Sequence, residues 1–195
     1  MRNTVDARGM DCPQPVIITK NALKNFSAGE LVTIVDSEVA RDNVIKLAKS
    51  MSMKVTVDQQ QDEYYIRINK DESLPLSPGL DVDDKVTVIL FGNNVLGTGS
   101  EELGETLIKS FFYTMVESDR KPKILMFINK GVYLTCEESP VLAQLMVLKE
   151  AGVDILSCGT CLDYYHLKDK FCVGNITNMY TIQENLMIGE RVLTL

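Results

Sequence analysis

Residues 6–15 read DARGMDCPQP and join a short predicted strand, Val5 to Ala7, to a predicted helix. Cys12 then lies at or beside the N-cap of that helix. Pro13 suits its first position, because the ring fixes φ and there is no N–H to leave unpaired. A thiol placed there faces the positive end of the helix dipole, which favours the thiolate. Cys12 is therefore a candidate nucleophile.

Three residues near Cys12 support this interpretation. Pro15 fixes a second backbone angle, and Arg8 and Lys20 add positive charge nearby in sequence. The competing interpretation is a helix-capping cysteine with no chemical role, and the two flanking prolines weigh against it.

Outward from this stretch, apolar spacing predicts the order βαβαββ over residues 1–70. Two helices cover only one face of a four-stranded sheet, so we expect a two-layer α/β sandwich. Ser37 is placed to cap the second helix. The residues predicted to face the core are Pro15, Ile18, Ala22 and Phe26 in the first helix, and Ala40, Val44, Leu47, Ala48 and Met51 in the second.

Residues 71–85, DESLPLSPGLDVDDK, are predicted to be a linker, since they combine two prolines and a glycine with five acids and one lysine. Residues 1–70 hold 10 basic and 9 acidic residues, net +1, whereas residues 86–195 hold 9 and 13, net −4. This difference in charge supports separate domains at 1–70 and 86–195.

The second half alternates apolar strands with helices, which predicts a mainly parallel sheet covered on both faces, a three-layer α/β/α domain. The predicted strands are 86–91, 123–128, 153–156 and 171–173. Ser100 is placed to cap a helix, and Ser139-Pro140 to begin the next. The first of these helices is predicted to face the core with Leu103, Leu107, Phe111 and Met115.

Cys158 and Cys161 form a CxxC pair just beyond the third of these strands, where ligands of parallel sheets bind. Such a pair permits disulfide exchange. A dithiol redox role and a metal site completed by His166 and Cys172 are weaker alternatives. Cys136 and Cys172 are predicted to be buried thiols.

Composition narrows the class of protein. The 195 residues include 20 Lys+Arg and 27 Asp+Glu, a net charge of −7, and 45% are hydrophobic. These values are typical of a globular chain, and the acidic balance argues against a nucleic-acid partner. With no apolar segment of about 18 residues and no apolar leader, we expect a cytoplasmic protein with reduced thiols and no membrane partner.

The stretch DARGMDCPQP, with Lys20 and Leu23, resembles the TusA/SirA-like sulfur-carrier family over residues 1–70. This resemblance implies a persulfide on Cys12, received from a cysteine desulfurase or related donor and passed to a downstream thiol protein. The second half resembles the DsrE-like fold, and the whole chain a YedF-type fusion, which implies that Cys161 or Cys158 accepts sulfur or selenium. The stretches that carry this second resemblance are 96–104, 158–165 and 174–180.

The sequence therefore predicts a sulfurtransferase, a protein that transfers sulfur or selenium by relaying a persulfide from Cys12 to a second thiol. A docking or redox-sensing regulatory module is the main alternative. No cofactor and no metal are predicted. Formation of a homo-oligomer stays open, as does relay within or between subunits.

Overall fold

The computed structural model describes residues 3–70 and 85–195. The chain divides into two compact units, Met1–Asp83 and Asp84–Leu195. The predicted linker, 71–85, lies outside the described residues except for Lys85.

The first unit has the predicted order of elements. They are β1 (Asn3–Asp6), α1 (Gln14–Lys24), β2 (Gly29–Val35), α2 (Glu38–Ser50), β3 (Lys54–Gln60) and β4 (Glu63–Lys70). The sheet order is β1-β2-β4-β3, with β1 parallel to β2 and the other pairs antiparallel. Alternate residues of β2 and β4 lie on one face of this sheet and are buried against α1 and α2. This packing confirms the two-layer sandwich.

Of the predicted core residues of α1, Pro15 is buried, and the other three are partly buried and pack against the core: Ile18, Ala22 and Phe26. Ile17, Thr19 and Leu23 are buried as well. Thr19 is tolerated in the core because its hydroxyl donates to the Pro15 carbonyl at 2.7 Å. In α2 the predicted cap is confirmed, since Ser37 Oγ accepts a hydrogen bond from the Ala40 N–H.

A buried lysine closes the end of α1. Lys70, only 6% exposed, donates from Nζ to the carbonyls of Leu23, at 2.9 Å, and Phe26. The last carbonyls of a helix have no partner within the helix and carry its negative dipole end. The ammonium group therefore joins the last strand of this unit to the end of its first helix.

The second unit is built on five parallel strands in the order β8-β7-β6-β5-β9. Two 3-10 helices, Asn129–Thr135 and Lys168–Lys170, lie between the main elements. Those elements are β5 (Thr87–Phe91), α3 (Glu101–Glu117), β6 (Ile124–Phe127), α4 (Leu142–Glu150), β7 (Asp154–Cys158), α5 (Gly159–Tyr164), β8 (Asn175–Thr177), α6 (Met179–Ile188) and β9 (Arg191–Thr194).

Both faces of this sheet are covered. One face packs against residues of α3, α4 and α5, and the other against Ile182 and Leu186 of α6. The predicted α/β/α class with a parallel sheet is confirmed. Among the described residues, no helix is both long and apolar enough to span a membrane.

The predicted core face of α3 is wrong in the first two turns of the helix. Leu103 and Leu107 are 56% and 41% exposed, and the buried residues there are Gly104 and Ile108. Further along, Met115 is buried as predicted, and Phe111 is partly buried against the core beside the buried Phe112. Gly104 allows this rotation, because a Cβ there would lie 3.0 Å from Val95 Cβ. A glycine does not count as an apolar residue in a hydrophobicity pattern, so the pattern does not predict that α3 approaches Val95 closely at Gly104. The predicted Ser100 cap is confirmed.

Two other predicted boundaries are wrong. The helix placed at Ser139-Pro140 begins at Leu142, and Ser139 instead accepts a turn hydrogen bond from the Val141 N–H. The fourth strand is β8 and not residues 171–173, where Phe171 forms only an isolated bridge with Cys136. The sequence also did not indicate β9, a short and fully exposed edge strand.

We expect the substitution Lys70→Met to lower the free energy of unfolding by about 2 kcal/mol, because it leaves two carbonyls without their charged donor while keeping a side chain of similar length. Urea denaturation of the full chain measures this change. The matched control is Lys54→Met, at an exposed position in β3. Equal effects of the two substitutions would contradict the helix-closing role of Lys70.

Candidate functional site

Cys12 is exposed and lies directly before the start of α1. Pro13 is the N-cap rather than the predicted first helical residue, and the Cys12–Pro13 peptide bond is cis. The Pro13 carbonyl accepts hydrogen bonds from the N–H groups of Val16 and Ile17, at 3.1 and 3.2 Å. Pro15 is buried in the first helical turn. The two prolines thus fix the backbone on either side of the helix start, with the thiol just outside it.

The Cys12 thiol lines a pocket of about 170 Å³. One wall comes from the β1–α1 loop and the first turn of α1, and the other from the first turns of α2. The lining residues are Met10, Asp11, Cys12, Pro13, Pro15 and Val16 on one side, and Ser37, Val39, Ala40 and Asn43 on the other. The positive ends of two helix dipoles therefore border the pocket that holds the thiol.

Asn43 is the polar side chain that reaches Cys12. Its Nδ2 donates towards Cys12 Sγ across 4.0 Å, a long contact even for a sulfur acceptor. Sequence reasoning missed this residue. The predicted order contained a usable signal, because two strands joined through a helix are typically parallel. The structure shows that β1 and β2 are parallel neighbours, so the loops that follow them lie at the same edge of the sheet.

Arg8 does not line the pocket, and neither does Lys20. Arg8 forms ion pairs with Asp6, at 2.5 Å, and with Glu63, at 2.7 Å. The hydrogen bonds from Arg8 lower the pKa of Asp6 from 3.8 to about 2, and they also lower the pKa of Glu63. The charge of Arg8 is therefore balanced by two carboxylates. The Arg8 side chain links Asp6, the last residue of β1, to Glu63, the first residue of β4.

A second thiol site lies at the carboxyl end of the parallel sheet. Cys158 is the last residue of β7 and is buried, while Cys161 is half-buried in α5, which begins inside the CxxC pair. Cys161 Sγ accepts a hydrogen bond from the backbone N–H of Asn129 at 3.1 Å. Burial raises the pKa of the Cys161 thiol, the Asn129 N–H opposes this rise, and the Cys158 thiol adds to it.

Asn129 also connects Cys161 to a group of tyrosines. Its Oδ1 accepts a hydrogen bond from the Tyr165 hydroxyl at 2.6 Å. The Tyr165 ring lies 5.1 Å from that of Tyr133 and 5.0 Å from that of Tyr164, both of which are exposed. Sequence reasoning missed Asn129, although it follows β6, the parallel neighbour of β7. Its φ of +49° lies in the left-handed region, which asparagine adopts more readily than most residues.

The remaining cysteines differ from each other. Cys136 is buried, as predicted, and burial raises its pKa. Cys172 is exposed, so the prediction of a buried thiol is wrong there. Within residues 3–70 and 85–195, no group of three or more His, Cys, Asp or Glu side chains is placed to hold a metal ion. Cys158, Cys161, His166 and Cys172 accordingly do not form a metal-binding group.

The first unit is thus a small α/β sandwich that presents one thiol in a pocket between two helix starts. Residues 3–70 match the family model described as sulfurtransferase TusA. The chain carries a TusA/SirA-like domain at its N-terminus, as predicted, and this supports a sulfur-carrier role.

Three solved structures are similar to parts of this chain. A SirA-like protein from Desulfitobacterium hafniense is 30% identical, with 34% of this chain and 93% of that chain covered and a TM-score of 0.33. The ychN protein from E. coli is 16% identical, covering 57% and 98%, with a TM-score of 0.40. A conserved protein of unknown function from Bacteroides thetaiotaomicron is 11% identical, covering 59% and 99%, with a TM-score of 0.41. Among curated proteins no significant match is found.

The pairing of Arg8 predicts a pH dependence of stability. Asp6 and Glu63 have lower pKa values in the folded chain than in the unfolded one, so their contribution is complete above the unfolded values and is lost as the pH falls. For Asp6 this loss spans pH 3.8 to about 2.

We therefore expect Arg8→Gln to flatten part of the fall in unfolding free energy over this range of pH, since the substitution removes the largest cause of both lowered pKa values. The N–H of residue 8 still donates to Asp6 and the Tyr65 hydroxyl to Glu63, so some of the pH dependence is expected to remain. Urea denaturation at a series of pH values measures the slope. An unchanged slope in Arg8→Gln would contradict the assignment.

Proposed function

We propose that this protein transfers sulfur, with Cys12 carrying it as a persulfide. The observation that supports this most directly is the exposed Cys12 thiol in its pocket, within a domain that matches the TusA family. In this proposal residues 1–70 are the carrier domain, 71–85 the linker and 86–195 a DsrE-like acceptor domain. The donor is a cysteine desulfurase or a related persulfide protein.

The loading step is a thiolate exchange. The Cys12 thiol loses its proton, and its sulfur attacks the outer sulfur of the donor persulfide. The new bond joins Cys12 Sγ to that sulfur, the donor S–S bond breaks, and its electron pair leaves on the donor thiolate. No external oxidant or reductant is needed. An exposed thiol suits this step, because the donor cysteine belongs to another protein and must reach it in line.

The delivery step repeats the same exchange on a second thiol. We assign Cys161 as the acceptor, since it is half-buried and reachable, whereas Cys158 is 1% exposed. The Cys161 thiolate attacks the outer sulfur, and Cys12 leaves as a thiolate. The N–H of Asn129, which donates to Cys161 Sγ, favours the thiolate that this attack requires. Delivery within one chain, between two copies, or to a downstream thiol protein follows the same chemistry.

Selenium would follow this scheme as well, because a selenium atom bound to a cysteine sulfur is open to the same attack by a thiolate. We propose sulfur as the cargo, since the family match supports it, and selenium as the variant to be tested with a selenium-loaded donor.

Replacing Cys12 by serine is the first test. After incubation with a cysteine desulfurase and cysteine, we expect one added sulfur on the wild-type tryptic peptide 9–20, in which Cys12 is the only cysteine. In Cys12→Ser we expect no loading anywhere in the chain. The persulfide is trapped with iodoacetamide and the peptides are then measured by mass spectrometry. The trapping distinguishes added sulfur from added oxygen. The matched control is Cys172→Ser, which removes another exposed thiol and is expected to load normally.

Normal loading of other thiols in Cys12→Ser would contradict the carrier role of Cys12. If no thiol of the wild-type chain takes sulfur from a competent donor, the docking or redox-sensing module is the better description.

The assignment of Cys161 predicts a difference between two neighbouring cysteines. Both lie on the tryptic peptide 150–168. When a loaded chain is followed over time, we expect Cys161→Ser to abolish the appearance of sulfur on this peptide. In Cys158→Ser the sulfur is expected to appear and persist, because the half-buried acceptor Cys161 remains. The opposite pattern would make Cys158 the acceptor.

A further inference from the structure

We propose that Asn43 is the hydrogen-bond donor that holds the outer sulfur of the Cys12 persulfide. This inference rests on the proposed carrier function and adds a residue to it. The contact between Asn43 Nδ2 and Cys12 Sγ, at 4.0 Å, is the geometric basis.

The length of this contact fits a persulfide better than a thiol. An outer sulfur lies about 2.0 Å from the cysteine sulfur. Placed on the side that faces Asn43, it lies closer to the amide than the 4.0 Å that separates Nδ2 from Sγ. The amide therefore gains its good acceptor only when the cargo is present.

The pocket has room for that additional atom. Its volume is about 170 Å³, and a site for one water occupies about 10–15 Å³ on a comparable measure. Both Cys12 and Asn43 line it, so the outer sulfur can extend into the space between them without displacing either side chain. Enough space remains for the first atoms of an incoming thiol.

The charges around the pocket explain why a donor is needed. Asp11 lines the pocket, and its carboxylate opposes a second anion such as a persulfide. The first turns of α2, at Ser37, Val39 and Ala40, supply the positive end of a helix dipole on the opposite wall. Asn43 projects from the same helix and adds a directed N–H, which makes that wall the favoured side for the anion.

The test compares how well Cys12 holds sulfur at equilibrium. The full-length protein is mixed with glutathione and glutathione persulfide at fixed concentrations, and the ratio of persulfide to thiol on peptide 9–20 is measured by mass spectrometry. The exchange is balanced, because the small persulfide gives up its outer sulfur to Cys12 and leaves as a thiol. No desulfurase takes part, so a failure of the donor does not affect the result.

We expect Asn43→Ala to lower this ratio about fivefold, since one hydrogen bond to a charged group is lost at a half-exposed site. Asn43→Asp keeps the shape but replaces the donor by an anion, and we expect a loss of about tenfold or more. The matched controls are Asn25→Ala and Asn25→Asp. They make the same changes at the far end of α1, about 16 Å along the helix and beyond the screening length.

A second readout separates cargo binding from a structural role. Because Asn43 reaches the outer sulfur and barely reaches Sγ, the reaction of the reduced Cys12 thiol with iodoacetamide should change less than twofold in Asn43→Ala. Equal losses in the sulfur ratio and in thiol reactivity would mean a disturbed pocket and would overturn the inference. So would ratios in both Asn43 variants that match those of the Asn25 controls.

A failure of the proposed carrier function would give a different result from a failure of the Asn43 inference. If wild-type Cys12 takes no sulfur from glutathione persulfide, both the carrier function and the inference are overturned. If it loads from glutathione persulfide but from no desulfurase, only the class of donor is wrong, and the ratios still decide the role of Asn43.

Discussion

The parallel pairing of β1 with β2 is the constraint on which the Cys12 site depends. Asp6 lies opposite Ile34, so both strands end at the same edge of the sheet and both following loops start there. Two hydrogen bonds join the segments that follow β1 and β2 at this edge. The Ala7 N–H donates to the Ile34 carbonyl at 2.9 Å, and the Gly9 N–H donates to the Asp36 carboxylate at 2.7 Å. The starts of α1 and α2 are thereby held together, and the pocket exists because of that.

The same arrangement recurs in the second unit. The parallel neighbours β6 and β7 end at one edge of the sheet, which brings Asn129, after β6, to Cys161, which follows the last residue of β7, Cys158. In both units a helix start supplies the cysteine, and the element after the neighbouring strand supplies an asparagine that donates to it, through the side chain at Asn43 and through the backbone at Asn129. Parallel strands bring together loops that are far apart in sequence, which is why such edges collect chemistry.

The two thiols differ in ways that suit the two steps proposed for them. Cys12 is exposed at the rim of an open pocket, where another protein can reach it. Cys161 is half-buried next to a second thiol; burial raises its pKa, and the Asn129 N–H that donates to its sulfur opposes this rise. Two exposed tyrosines near Asn129 give this second site an aromatic surface; they are Tyr133 and Tyr164. The residues that line the pocket at Cys12 include no aromatic side chain.

The sequence by itself determined the local features: the cysteine at the start of α1, the serine caps of α2 and α3, the order of elements in the first unit and the parallel sheet of the second. Each depends on spacing or backbone preference within a few residues, which a linear pattern records. Only the tertiary structure decided that Asn43 meets Cys12, that Asn129 meets Cys161, that Arg8 is occupied by two carboxylates, and that α3 turns its Gly104 row inward. These outcomes depend on which strands pair and how closely a helix approaches, and both are set by contacts between residues distant in the chain.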